Sequence, residues 1–224
     1  MEPDELIVPA VQGTTGILKS AQKYGTSVKR VVITSSCAAV LTPTTEPRVF
    51  SEANWNEASI QEVKEKGRDA AGPAKYRASK TLAEKAAWEF YEQNKASLPW
   101  DLVVLNPPFV YGPIMHECGA PEELNQSMRD WYRVIVEGKI DNETLVNGGC
   151  VVQSADFGGI PMCGADRGLD VRHSRAMYVD VRDIAQAHTL ALLKPEAGDN
   201  RFIISAGPYK WQDFGQCFPF SEQK

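Results

Sequence analysis

The chain has 224 residues, of which 43% are hydrophobic and 24% charged, and its formal net charge is -5 at pH 7. Such a composition is typical of a globular protein with a substantial core, and the acidic balance offers no basic surface for nucleic acid or anionic lipid. No apolar run approaches the ~20 residues that a membrane span needs, and the N-terminus is acidic where a secretory signal is basic. These features predict a soluble, cytoplasmic protein with neither a nucleic-acid nor a membrane partner.

The cysteines indicate reduced thiols and not a disulfide framework. They are odd in number, widely spread and include no Cys-x-x-Cys pair: Cys37, Cys118, Cys150, Cys163 and Cys217. Two of them, Cys150 and Cys163, approach His173 in sequence, but their spacing fits no standard zinc site. No metal site is predicted.

The first half of the chain alternates helical and strand patterns. Residues 5–24 carry apolar side chains at a helical period and predict a helix that ends before Gly25. The β-branched run 28–36 ends in small hydroxyl residues, which is typical of a buried parallel strand whose carboxyl end opens onto a site. Residues 41–72 contain prolines and mixed charges, and they predict a long connector. A helix over 74–94 and a second buried strand over 100–106 follow.

The second half is less regular. A further amphipathic helix is predicted over 121–137, and residues 141–175 then carry no sustained period. Order returns with a strand that enters a helix over 176–188 and a last strand over 201–205. The alternation predicts an α/β fold with a parallel, Rossmann-like doubly wound sheet.

The helix over 74–94 carries the residues with the clearest chemical potential. Tyr76 and Lys80 lie four residues apart near its start and project from the same face. An ammonium beside a phenol favours the ionised phenol, so such a tyrosine can exchange a proton with a carbonyl or alcohol oxygen during hydride transfer. The apolar stripe of this helix, which includes Leu82 and Ala87, places Lys75 and Glu84 among the polar residues largely off it.

Four motifs occur in a fixed order. They are Val-Lys-Arg-Val-Val-x-Thr-Ser-Ser, Tyr-x-x-Ser-Lys-Thr-Leu-Ala-Glu, Asn-Pro-x-x-Val-x-Gly-Pro and Val-Asp-Val-Arg-Asp-x-Ala-x-Ala-His. Over about residues 5–138 and 176–214 the chain therefore resembles the extended short-chain dehydrogenase/reductases of the NAD-dependent epimerase/dehydratase superfamily. Within them it is most similar to the branch of dihydroflavonol reductases, cinnamoyl-CoA reductases and fungal methylglyoxal-type NADPH aldehyde/ketone reductases.

The resemblance implies a catalytic set of Ser36, Tyr76 and Lys80. In it Ser36 holds the substrate oxygen near the phenol of Tyr76, while Lys80 assists the phenol and binds the nicotinamide ribose hydroxyls. The implied cofactor is NADP(H), with NAD(H) left open. The implied cofactor-binding residues are Thr34, Ser35, Tyr76, Lys80, Pro107, Val110 and Ser127.

Other polar and aromatic residues have structural interpretations. Asp180 and Asp183 are expected to cap a helix or pair with Arg182. His188 is interpreted as a packing residue, and His116 lies near the substrate end without an assigned role. For Met128, Trp131 and Tyr132 the sequence leaves a substrate-pocket role and a core role both open.

The chain also departs from the family pattern. Relatives begin with a strand and a glycine-rich loop that receives the cofactor pyrophosphate, whereas Gly13 and Gly16 lie inside the predicted first helix. The resemblance implies that the first two or three βα units are absent, which should expose apolar strand edges and weaken NADPH binding. Relatives have a short loop where this chain has the patternless stretch from about 145 to 175, which we interpret as a retained intron read through in frame. The predicted parts are the catalytic half of a Rossmann-type domain (1–138), an irregular insertion (139–175), and a last Rossmann element with a truncated substrate lobe (176–224).

Three functions follow as hypotheses. The first is an NADPH-dependent oxidoreductase that reduces a small aldehyde or ketone with Tyr76 as proton donor. The second is a nucleotide-sugar epimerase or dehydratase of the same superfamily, which net consumption of NADPH would distinguish. The third is a catalytically inactive truncated paralogue, or a chain that serves only as a partner subunit and pairs through its exposed edge strands. The substrate and the oligomeric state are not determined by the sequence.

Overall fold

The computed structural model describes residues 1–44, 48–139, 151–152, 176–209 and 211. The insertion predicted at 139–175 therefore lies largely outside the described residues. Four residues considered above also lie outside them: Cys150, Cys163, His173 and Cys217. The helices are α1 (Asp4–Tyr24), α2 (Glu57–Lys66), α3 (Gly72–Asn94), α4 (Gln126–Ile135) and α5 (Val181–Leu193). The strands are β1 (Arg30–Thr34), β2 (Val49–Phe50), β3 (Asp101–Asn106), β4 (Phe109–Tyr111), β5 (Val151–Val152), β6 (Ala176–Asp180), β7 (Asn200–Ile203) and β8 (Gly207–Tyr209).

The principal sheet is parallel, as the alternation of elements predicts. Its order is β1-β3-β7, with Val32 opposite Val103 and Leu105 opposite Phe202 in the register. At one end of these three strands lies β1, whose residues are half-buried except for the exposed Thr34. Within the described residues β1 is the end strand of this sheet, and the expectation of exposed apolar edges stays a prediction.

Helices cover both faces of this sheet because alternate residues of β3 point to opposite sides. Val103 and Leu105 pack with Ile184 and Ala187 of α5. Leu102 and Val104 pack on the other face, where they join residues of α1 and α3. The result is the doubly wound α/β arrangement that the sequence predicts.

A second sheet of order β4-β6-β8 follows the first. Val110 of β4 pairs in parallel with Val179 of β6, whereas β8 runs antiparallel to β6. The short strand β4 lies inside the Asn-Pro-x-x-Val-x-Gly-Pro motif and was not predicted as a strand. Helix α4 packs against strand β4 of this sheet.

The prediction of a long connector without regular elements over 41–72 is wrong. Strand β2 and helix α2 lie within it, and the side chain of Asn56 caps α2 by accepting a hydrogen bond from the backbone NH of Ser59 at 3.1 Å. Ile60 and Val63 attach α2 to Ala78 of α3. Because α2 buries so few apolar residues, its periodic signal is weak, and packing against α3 stabilises it.

The helix predicted over 121–137 is shorter than expected. A 3-10 turn spans Pro121–Glu123, and α4 begins only after Asn125. The Asn125 side chain accepts a hydrogen bond from the backbone NH of Met128 at 3.0 Å, which fixes the start of the helix.

Two features are absent from the described ranges. No helix within them is both long and apolar enough to cross a membrane. Nor do they contain a group of three or more His, Cys, Asp or Glu side chains placed to hold a metal ion.

Candidate active site

The ends of β1 and β3 form the floor of the candidate site. Backbone pairing continues beyond both strands, because Ser35 N donates to Leu105 O at 2.8 Å and Cys37 N donates to Pro107 O at 2.9 Å. The hydroxyl residues that follow β1 therefore lie directly beside Asn106 and Pro107. Carboxyl ends of parallel strands are where open α/β sheets bind ligands.

Ser36 is held from several sides at this strand end. Its backbone is extended, and its hydroxyl caps the 3-10 turn Cys37–Ala39 by accepting a hydrogen bond from Ala38 N at 3.1 Å. Its carbonyl accepts a hydrogen bond from Asn106 Nδ2 at 3.0 Å. Ser36 as a whole is half-buried.

Tyr76 and Lys80 lie on the second and third turns of α3, which packs against the turn that Ser36 caps. The Tyr76 side chain is 47% exposed, although it belongs to a helix with many buried residues. The Nζ atom of Lys80 lies 5.8 Å from the centre of the Tyr76 ring. The predicted same-face arrangement of ammonium and phenol is thus present, with the phenol ring open to solvent.

Thr34 has a partner that the sequence did not suggest. Its hydroxyl lies 2.7 Å from Nε2 of His188. The other ring nitrogen, Nδ1, lies 2.7 Å from the carbonyl of Ile184, which can only accept, so Nδ1 carries a hydrogen. His188 therefore contributes more than packing, since it links α5 to the end of β1.

Two charged residues of α3 were expected on its polar side and are instead buried. Glu84 is 2% exposed and Lys75 is 5% exposed. Lys75 donates from Nζ to the carbonyls of Arg68 at 2.6 Å and Met1 at 3.0 Å. Helical periodicity identified the apolar stripe but not these polar partners, because the partners come from other parts of the chain.

Glu84 connects α3 to the strand ends. Its Oε2 accepts hydrogen bonds from Ser35 Oγ at 2.6 Å and from Asn106 Nδ2 at 2.7 Å. Its Oε1 lies 2.7 Å from Nε of Arg201. In the sequence this glutamate closes the Tyr-x-x-Ser-Lys-Thr-Leu-Ala-Glu motif, which is the signal that could have singled it out.

The remaining predicted cofactor residues lie on other elements. Pro107 is buried between β3 and β4, and the half-buried Val110 packs against the core on the α5 side of the sheet. Ser127 is half-buried in the first turn of α4. Thr34, Ser35, Ser36, Tyr76 and Lys80 thus share the β1 end and α3, whereas Ser127 belongs to the helix beside β4.

Asp180 caps α5, as the sequence predicts. Its side chain accepts hydrogen bonds from the backbone NH of Arg182 at 2.8 Å and from the Arg182 guanidinium at 2.8 and 2.7 Å. The hydrogen bonds from the guanidinium are the main cause that lowers the pKa of Asp180 to about 2. Asp183 lies in the first turn of the same helix and is exposed.

Two residues of α4 pack against an aromatic cluster. Met128 and Trp131 pack against a cluster that contains Tyr111 and Tyr209. The two tyrosine hydroxyls lie 2.7 Å apart, and burial raises the pKa of Tyr209 to about 12. Met128 and Trp131 therefore make packing contacts, and a substrate-pocket role for these two residues or for Tyr132 stays a prediction.

With this geometry established, comparison with known proteins identifies the family. The model of the NAD dependent epimerase/dehydratase family matches residues 1–207. The chain belongs to this family. The finding confirms the resemblance seen in the four motifs.

Similar members of the family are reductases. Over 216 residues the chain is 35% identical to the NADPH-dependent methylglyoxal reductase of Saccharomyces cerevisiae, covering 93% of this chain and 53% of that protein. It is 34% identical to a ketoreductase of Aspergillus niger, with 92% and 51% covered. It is also similar to a cinnamoyl-CoA reductase of Medicago truncatula, at 32% identity with 89% and 48% covered.

A solved structure supports the same fold. The crystal structure of the yeast methylglyoxal/isovaleraldehyde reductase complexed with NADPH matches with a TM-score of 0.73 and 31% identity. The match covers 98% of this chain and 57% of that one. The chain thus spans about half the length of the relatives that it matches, and its α/β fold is the Rossmann-type fold of this family.

Proposed function

We propose that this epimerase/dehydratase family member is an NADPH-dependent oxidoreductase that reduces a small aldehyde or ketone to an alcohol. Tyr76 is the proton donor, Ser36 orients the substrate oxygen, and Lys80 supports the phenol. The proposal rests on one observation above all. The Lys80 ammonium lies over the ring of an exposed tyrosine, on a helix that packs against the turn capped by Ser36.

The residues at this site suit a nicotinamide dinucleotide. Thr34 and Tyr76 present exposed side chains with hydroxyl groups, and Lys80 adds a cationic donor at the carboxyl end of the parallel sheet. Hydroxyls and an ammonium are the groups that bind ribose hydroxyls through hydrogen bonds. Lys80 with Thr34 and Ser35 would hold the nicotinamide half, and Pro107 and Val110 would line it. Bound NADPH would supply the hydride for the carbonyl carbon.

The proton side of the reaction follows from the chain's own groups. The Ser36 hydroxyl binds the substrate oxygen, and the Tyr76 phenol donates its proton to that oxygen as negative charge develops on it. The resulting phenolate is stabilised by the neighbouring Lys80 ammonium until a proton from water restores it. Because Tyr76 is open to solvent, this last transfer has a direct route.

The choice of NADPH and of a small carbonyl follows the relatives. The Saccharomyces cerevisiae relative is named an NADPH-dependent methylglyoxal reductase, and the solved yeast relative is named for methylglyoxal and isovaleraldehyde. We extend this substrate class to the present chain and place Ser127 at the cofactor phosphates as part of the same proposal.

The experiment is a binding and turnover assay on the purified 224-residue chain. NADPH and NADH are titrated while nicotinamide fluorescence is followed, and NADPH oxidation is measured with methylglyoxal, isovaleraldehyde and small ketones. We expect saturable NADPH binding and carbonyl-dependent oxidation. Tyr76→Phe should lower kcat by about 10² to 10⁴-fold while cofactor binding persists.

Tyr24→Phe is the matched control, since Tyr24 is an exposed tyrosine of α1, 72% accessible. It should leave kcat unchanged. A folded chain that binds neither nucleotide would overturn the proposal, and so would full activity in Tyr76→Phe. Turnover of a nucleotide sugar without net NADPH consumption would instead establish an epimerase or dehydratase.

A further inference from the structure

The buried carboxylate of Glu84 is not accounted for by the roles described so far. A carboxylate removed from water is costly unless hydrogen bonds and an opposite charge compensate it. Glu84 has both, through Ser35, Asn106 and Arg201. All three partners lie at the carboxyl end of the principal sheet or in β7, next to the candidate site.

These contacts connect Glu84 to the two neighbours that hold Ser36, namely Ser35 and Asn106. Ser35, the residue before it, donates its hydroxyl hydrogen to Glu84 Oε2. Asn106, fully buried, divides its amide hydrogens between Glu84 Oε2 at 2.7 Å and the Ser36 carbonyl at 3.0 Å. One carboxylate oxygen therefore fixes the segment that carries the Ser36 hydroxyl.

The same glutamate lies on the helix that carries the proton donor. Tyr76, Lys80 and Glu84 follow one another at intervals of four residues, so each is displaced by about 40° around α3 from the one before it. Eight residues of helix span about 12 Å, and a helix of this length that is packed along its side is stiff. Because Glu84 is anchored to the strand ends, it fixes the positions of Tyr76 and Lys80 relative to the carboxyl end of the sheet.

Arg201 completes the arrangement from the opposite side. Its guanidinium carries the charge that compensates Glu84, and it lies 3.7 Å from the centre of the Trp55 ring. Its Nη1 donates to the carbonyls of Glu52 at 3.0 Å and Asn54 at 2.9 Å. The pair therefore joins α3 to β7 and to the segment before α2.

We propose that Glu84 is a positioning residue for the proposed reduction, which sets the separation between the Ser36 hydroxyl and the Tyr76 phenol. The inference rests on the proposed function for its kinetic consequence and on the hydrogen bonds above for its geometry. A displacement of about 1 Å in such a pair can cost about 10²-fold in rate. Substrate and cofactor contacts away from the reacting atoms should be little affected.

Glu84→Gln is the test, since it preserves shape but removes the charge and one acceptor. We expect kcat to fall about 10- to 100-fold, with KM and the NADPH dissociation constant changed less than about threefold. Ser35→Ala removes one of the two donors to Oε2 and should give a smaller loss. Because both substitutions act through one carboxylate, the fold-loss of kcat in the double variant should be smaller than the product of the two single losses.

Asp101→Asn is the matched control, because Asp101 also pairs with an arginine but at the opposite end of β3. It should lower stability and leave kcat of the folded protein unchanged. If Glu84→Gln behaves in the same way, with lower stability but wild-type kcat, the positioning role is refuted. If Glu84→Gln does not fold, the decision falls to Ser35→Ala. A lower kcat with an unchanged NADPH dissociation constant would support the positioning role, and an unchanged kcat would refute it.

Crystal structures of the wild type and Glu84→Gln separate this inference from the proposed function. We expect the Ser36 Oγ to Tyr76 Oη separation to change by about 0.5 Å or more in the variant. An inactive wild type with this shift would refute the reductase proposal while supporting the positioning role. An active wild type with an unchanged separation and unchanged kcat in the variant would refute the positioning role alone.

Discussion

Arg30 and Asp101 are joined by two parallel hydrogen bonds, from Nε to Oδ1 at 2.6 Å and from Nη2 to Oδ2 at 2.7 Å. They stand opposite each other as the first residues of β1 and β3. The same guanidinium also donates to the carbonyls of Ala191 at 2.6 Å and Lys194 at 2.5 Å. One largely buried side chain therefore secures the start of β1 and the end of α5.

Replacing Arg30 should accordingly be destabilising. Arg30→Met removes the guanidinium from the Asp101 carboxylate and from the carbonyls of Ala191, Lys194 and Pro195. The free energy of unfolding should therefore fall by about 2–4 kcal/mol. Urea denaturation followed by circular dichroism measures the change. Arg68→Met removes the exposed ion pair with Glu2 and should cost less than about 1 kcal/mol. Equal effects of the two substitutions would contradict this account.

The Asp180 cap should make part of the stability depend on acid pH. The pKa of Asp180 is about 2 in the folded chain, below the usual aspartate value near 4. Its contribution is therefore fully present above about pH 4 and is lost as the pH falls toward 2. Asp180→Asn keeps a good helix cap but removes the charge.

The measurement is urea denaturation of the wild type and Asp180→Asn from pH 7 down to the lowest pH at which both fold. The wild type should be more stable at pH 7, and the difference should shrink as the pH falls below 4. Asp183→Asn, which removes one exposed negative charge from the same helical turn, is the matched control. A pH-independent difference for Asp180→Asn would show that its charge is not responsible.

Alanine substitution should change the free energy of unfolding in opposite directions at two glycines. Gly112 has φ +131°, and a Cβ there would lie 2.9 Å from Cγ1 of Val181, so Gly112→Ala should cost about 1–3 kcal/mol. Gly16 is exposed within α1, with no atom within 4 Å of a built Cβ. Gly16→Ala should raise the free energy of unfolding by about 0.5–1 kcal/mol. Thermal unfolding of both variants checks the pair, and a stabilised Gly112→Ala would contradict the strained-turn argument.

Lys80 provides a kinetic prediction that is separate from the tyrosine. Lys80→Met removes the ammonium over the Tyr76 ring and should lower kcat by about 10²-fold or more, with weaker NADPH binding, if the proposed reduction is correct. Steady-state kinetics and the fluorescence titration report the two effects. Lys66→Met, at a lysine that is 57% exposed and paired with Glu62, is the control and should change neither. Wild-type kcat in Lys80→Met would remove this residue from the mechanism.

Much of the fold follows from local sequence patterns. The apolar period of α1, the β-branched run of β1 and the entry of β6 into α5 are each visible within about twenty residues, because helix and strand periods are local properties. The four ordered motifs also brought Ser36, Tyr76 and Lys80 forward as one set. Weakly apolar α2 and three-residue β4 were missed, since tertiary packing stabilises them more than their own patterns indicate.

The sequence by itself determined the α/β alternation, the family resemblance and which residues share a helix face. The tertiary structure alone decided that Glu84 is buried and that Arg201, more than a hundred residues later in the chain, supplies its opposite charge. It likewise decided that His188 of α5 contacts Thr34 at the end of β1. The physical reason is that the helical or strand spacing of residues determines only which face of its own element a side chain lies on. Whether a polar side chain is buried depends on partners that distant segments bring to it on folding.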